Sequence, residues 1–102
     1  MAHVYIAVAV ARKDRKDKDC YNDAFNLLCE YIPAYFDYVD EDDVCQYTVE
    51  EVRNNKEILT NVYAYFTEYE SYSKDLNDWN IENGLLWNLR ADDLIYIFHC
   101  HE

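Results

Sequence analysis

From His3 to Ala11 the large apolar residues Val4, Ile6, Val8 and Val10 alternate with His3, Tyr5, Ala7 and Ala9, the period-2 pattern of a strand. The charged run Arg12 to Asp19 follows and reads as a solvated loop. Beyond it the period changes. Tyr21, Phe25, Leu28 and Ile32 recur at helical spacing with Ala24 and Cys29 beside them, which predicts an amphipathic helix. Pro33 has no amide proton to donate and disfavours helical geometry in Ile32, so the helix is expected to stop or kink there. Ala34 to Val39 and Val44 to Thr48 are β-prone, and the acidic cluster Asp40, Glu41, Asp42, Asp43 between them predicts the turn of a hairpin. Thr48 followed three residues later by Glu51 has the form of a capping box, so a second helix is predicted to start there. Its stripe is Val52, Leu59, Val62, Phe66 and Tyr69, with Ile58, Tyr65 and Tyr72 on a flank. Asn77 to Asn83 reads as a short helix or loop closed by Gly84, which can enter left-handed geometry without steric cost. Leu85 to Leu89 fits no single pattern, and Leu94 to His101 is β-branched and aromatic enough for a last strand.

Laid end to end, these elements give strand, helix, strand twice over. That order predicts an α+β domain with two βαβ-like halves, about 1–43 and 44–102, in a ferredoxin-like βαββαβ arrangement. A mostly helical domain with a β-hairpin is the runner-up. The 102 residues suit a single core, and one Gly and one Pro leave no linker material to divide it. With 51% hydrophobic and 17% aromatic residues, the chain has the apolar area to offset its conformational entropy. The run Val4 to Ala11 is far shorter than the roughly 20 residues a membrane helix needs, so no membrane partner is expected. Basic residues follow that run rather than precede it, which argues against a secretory signal.

Charge narrows the choice of partner. The formal net charge is -12, yet Arg12 to Asp19 holds five basic residues against three acidic ones, leaving four basic and eighteen acidic side chains for residues 20–102. Such a body repels phosphates, so no nucleic-acid partner is expected. The five cations of the loop are interleaved with Asp14, Asp17 and Asp19, and a solvated loop is the better reading than a phosphate site. One glycine cannot build a phosphate-cradling loop.

Catalytic signatures are missing. Cys20, Cys29, Cys45 and Cys100 contain no Cys-x-x-Cys pair, which removes zinc-ribbon and thioredoxin-type readings. Buried reduced thiols are the expectation, with bonds to Cys45 or Cys100 left open; Cys20 and Cys29 fall on opposite sides of a helix and cannot join within it. The three histidines lie at the chain ends, without a local signature for nucleophilic catalysis. If the first and last strands are antiparallel neighbours, His3 meets His99 and His101 on one face, with Cys100 on the other. Three imidazoles with a water or Glu102 would then form a metal set. Solvated terminal histidines are the commoner outcome, so no metal or other cofactor is expected, and His3, His99 and His101 stand only as weak candidates.

The eleven tyrosines carry more weight, because tyrosine joins apolar area to a polar tip and is favoured at protein interfaces. Tyr63, Tyr65, Tyr69 and Tyr72 exceed what one buried helical stripe needs, and with Tyr5 and Tyr96 they form the expected interaction surface. The chain therefore reads as a non-enzymatic module that binds a protein or peptide segment in a tyrosine-lined groove or at a sheet edge. A homodimer through a sheet edge or the Ile58, Tyr65, Tyr72 flank is compatible with the pattern. The alternative is an acidic DNA mimic that inhibits a host nuclease or DNA-binding protein, with Asp40 to Asp43 on its charged face.

Small size, richness in Tyr, Asn and Asp, scarcity of Gly and Pro, and scattered cysteines give the chain a composition that resembles the small orphan proteins of filamentous viruses infecting hyperthermophilic archaea. The resemblance covers composition along the whole length and transfers no functional residues. It implies a viral protein in the host cytoplasm or on the virion, without enzymatic activity, with host or virion proteins as partners.

Overall fold

The computed structural model describes residues 3–35, 38–68, 74 and 76–101, with the side chains of 31–35 excepted. Strand β1 (His3–Val10) leads to helix α1 (Asp17–Tyr35), strand β2 (Tyr38–Thr48), helix α2 (Val49–Asn54) and a 3-10 turn (Lys56–Leu59). Strand β3 (Val62–Thr67), a single helical turn α3 (Asp78–Asn80) continuing as a π-helical turn (Ile81–Leu85), and strand β4 (Leu94–His101) complete the chain. The class is α+β, with a four-stranded mixed sheet in the order β2-β4-β1-β3.

β4 lies antiparallel between β1 and β2, and β1 runs parallel to β3 on its other side. β1, α1 and β2 therefore form a βαβ unit split by an inserted antiparallel strand, the feature that makes the fold compatible with the ferredoxin-like class. The second connection, from β2 to β3, crosses the opposite face of the sheet, as the alternation of side chains shows. Ile6, Val8 and Val10 of β1 and Leu94, Tyr96, Phe98 and Cys100 of β4 pack under Cys20, Ala24 and Leu28 of α1. Ala7, Ala9, Ile95 and Ile97 point the other way, under Val49 and Val52 of α2, Leu59, and Ile81, Leu85 and Leu86 of the π turn. The small Ala7 and Ala9 let this second cover sit close to the sheet.

Several expectations change. The capping box is real, since Glu51 N donates to Thr48 Oγ1 and Thr48 N to Glu51 Oε1, both at 3.1 Å. The helix it starts, however, ends at Asn54, and the segment carrying Val62, Tyr65 and Phe66 is a strand. Val-Tyr-Ala-Tyr-Phe-Thr is a β-prone run, and pairing with the exposed edge of β1 outweighs a helical spacing that fitted it equally well. An irregularity in the pairing sets Val62 opposite Tyr5 but Ala64 opposite Ile6, so Tyr63 is the extra residue and Val62 faces the second cover.

The hairpin is also absent. β2 is one strand whose two arms both pair with β4, Asp40 opposite His99 and Val44 opposite Phe98, while residues 41–43 bulge out. No Gly, Asn or Pro is available there to reverse the chain, whereas β4 offers a continuous ladder. The boundary between halves at 43/44 thus falls inside β2. Finally, α1 runs two residues past Pro33, which excludes the stop but not the kink expected there, and Gly84 is not left-handed. Gly84 is buried in the π turn, and the left-handed residue that ends this segment is Asn88, with φ 60°. The loop after β1 is tied to the turn before β4 by the buried Asp93 carboxylate, which accepts from Arg12 N at 2.8 Å and Arg90 N at 2.7 Å.

Candidate functional site

Among the described residues, the second cover stops short of one end of the sheet. There the ladder sets His101 between Tyr38 and His3, and one step along sets His99 between Asp40 and Tyr5. All six share the face of Ile95 and Ile97 by strand alternation. The antiparallel pairing expected of β1 and β4 is what brings the three histidines together.

Their rings form a stack. Tyr38 lies flat on His101, with centroids 4.2 Å apart and 9° between planes, and His3 meets His101 edge-on at 4.2 Å. Tyr5 stacks on His99 at 4.9 Å. His3 Nδ1 and His99 Nε2 are 3.0 Å apart, a distance that requires one proton between two nitrogens. On the other side of His99, the β2 bulge returns Asp43, whose Oδ2 sits 3.1 Å from Nδ1, close enough for an ion pair though without the alignment of a formed hydrogen bond. Asp40 Oδ2 is 3.9 Å from the same nitrogen, and the Tyr5 hydroxyl donates to Asp43 at 3.3 Å. The Asp43 charge, then burial, raises the Tyr5 pKa.

His101 is 7% exposed, and both its ring nitrogens are buried without a hydrogen-bond partner. Burial, followed by the neighbouring His3 and His99, lowers its pKa, so the ring is neutral at pH 7. One ligand atom from each of His3, His99 and His101 falls within 4.8 Å of the others. Three imidazole nitrogens are thus within reach of one shared ligand. Cys100 cannot join them, because it is buried on the α1 face, where burial pushes its thiol up to about 12.

The tyrosines expected to form one surface are dispersed. Tyr65 and Tyr96 are buried in opposite cores, which removes them from any surface. The Tyr96 hydroxyl donates to Asp17 O at 3.2 Å, and burial raises its pKa to about 12. Burial of Tyr65 also takes the Ile58, Tyr65, Tyr72 flank away as a dimer face. Tyr63 is exposed, with Lys74 Nζ 5.0 Å over its ring, and Tyr5 belongs to the histidine cluster. Tyr69 and Tyr72 lie outside the described residues.

Among the described residues, the most exposed large aromatics are Trp79 (69% exposed) and Trp87 (50%), on either side of the π turn, followed by Tyr38 and Tyr63. Sequence reasoning passed over both tryptophans, because residues 77–93 carried no clear period. The available signal was that Asn77, an N-cap whose side chain accepts from Asn80 N at 2.8 Å, fixes where the turn starts and hence which way Trp79 points. In the basic loop, Arg12 pairs with Asp17 at 2.6 Å and Arg15 with Asp23, so these two cations are used internally. All four cysteines are free. Among the described residues, no helix is long and apolar enough to cross a membrane. No protein-family model, curated protein or solved structure matches the chain.

Proposed function

We propose that this protein is a non-enzymatic interaction module that recognises a protein or peptide segment through exposed indoles. The observation that carries the reading is the pair Trp79 and Trp87, both at least half exposed on a segment whose Ile81, Leu85 and Leu86 anchor it to the core. Indoles bury large area with little loss of rotamer freedom and dominate interface hot spots, so two of them turned outward on an anchored segment favour a contact surface. Asp78 and Glu82 on the same segment are paired with Lys56 at 3.7 Å and Arg53 at 3.5 Å, so the apolar indoles rather than charge define the contact.

The test is affinity capture from a lysate with the full chain as bait, washed at low and then at high salt, beside the double variant Trp79→Ala, Trp87→Ala. A discrete protein kept by the wild type at high salt and lost by the double variant supports the reading. Equal retention by both baits sinks it. Because these are the chain's two tryptophans, a blue shift of their emission on adding the captured partner reads the same contact directly.

A further inference from the structure

We propose that His3, His99 and His101 form a binding site for one divalent first-row transition-metal ion, with Zn2+ as the reference. The ligands are His3 Nδ1, His99 Nε2 and a ring nitrogen of His101. This site is independent of the indole surface.

The geometry needs little adjustment. Zn–N bonds of 2.0–2.1 Å in a tetrahedral set place ligand nitrogens about 3.3 Å apart. His3 Nδ1 and His99 Nε2 already stand at 3.0 Å, and the whole set lies within 4.8 Å. The ion replaces the proton that otherwise bridges the first two rings. It also gives a partner to a nitrogen of His101, which the fold buries and leaves unbonded. Aromatic packing alone accounts for the stacking with Tyr38 and Tyr5, but it gives no reason to bury two ring nitrogens without partners.

The surroundings have the form that orients a ligating imidazole. Asp43 beside His99 Nδ1 favours the tautomer whose lone pair is on Nε2, the atom that faces His3. Tyr5 in turn donates to Asp43. With three imidazoles as the ligand set, the site selects Zn2+, Cu2+ or Ni2+ over Mg2+ or Ca2+; Cys45 lies on the same face opposite Ile97, outside the cluster. Three ligands leave one position for an exchangeable water or an anionic group.

The experiment uses the full chain without a histidine tag, stripped with chelator, and titrated with Zn2+ by calorimetry and with Co2+ by visible absorption. One equivalent of Zn2+ is expected per chain, and intense d–d bands of a low-symmetry site with Co2+. His3→Gln changes an exposed side chain at a strand end, keeps the far-UV circular dichroism of the wild type, and weakens Zn2+ binding by about 100-fold or more, since even an outer partner is worth about 10–100-fold. Asp43→Asn weakens it about tenfold. Cys45→Ser and the double tryptophan variant leave it unchanged. No uptake by the folded wild type, or uptake by His3→Gln as tight as by wild type, would overturn the proposal.

Discussion

The two faces of the sheet are covered in different ways. On one, the 19-residue α1 lays Cys20, Ala24 and Leu28 along the strands, flanked by Tyr21 and Phe25, and the apolar layer runs on as far as Cys100. On the other, α2, a 3-10 turn and a π turn are pieced together over Ala7, Ala9, Ile95 and Ile97, and they give out before the strands do. A single long helix packs along its face through one continuous stripe from Cys20 to Leu28. A cover of short pieces leaves a remainder, and that remainder holds a polar cluster of the sheet, His3, Tyr5, His99, His101, Asp40 and Tyr38. The pieced layer also turns Trp79 and Trp87 outward. Both candidate surfaces thus belong to the face that is less completely closed.

Core truncations should separate the faces most. Phe98→Ala, under α1, is expected to cost about 3–5 kcal/mol in urea unfolding. Leu85→Ala, under the π turn, should fall near the low end of the range for its type, about 2–3 kcal/mol, because a short turn can settle into the space. If Leu85→Ala costs as much as Phe98→Ala, the second cover is as rigid as the first and the contrast fails. Next in size is Thr48→Ala, which removes the cap where the second cover begins and should cost about 1 kcal/mol, read from the same unfolding curves. The smallest expected effect is chemical. Cys45 is exposed, whereas Cys20 and Cys100 are buried under α1 with their thiols pushed up by burial. Alkylation followed by mass spectrometry should therefore label Cys45 first and spare Cys20 and Cys100 until the protein is unfolded. Early labelling of Cys20 would mean that the α1 face opens locally.

The same contrast marks what the sequence revealed. β1 and α1 were legible because each carries a period that its packing follows, and β4 because its β-branched and aromatic run suits a strand buried on both faces. Val62 to Phe66 was not, since a four-residue spacing serves a helix as well as a bulged strand, and only the neighbouring β1 edge decides between them. Asp40 to Asp43 looked like a turn because local chemistry cannot announce a distant ladder that spans it. The histidine cluster was legible to the extent that the pairing of β1 with β4 was. The parts played by Asp43 and Tyr38 depended on β2 lying beyond β4, which no local pattern encodes. Trp79 and Trp87 were missed for a related reason, as exposure follows from the direction of a turn rather than from the residues in it.

The position of β4 has a consequence for how the molecule comes to be assembled. It is the last strand along the chain, yet it sits between β2 and β1 and makes the ladder with both. During synthesis β1 and β3 can pair as soon as both have emerged, but β2 has no strand to join until residues 94–101 are available. The early chain therefore carries an unfilled slot beside β1, an aggregation hazard that the acidic bulge of β2 helps to guard against. Insertion of β4 closes the slot, and the same event delivers His99 and His101 to His3, so the histidine cluster forms only once β4 has joined the sheet.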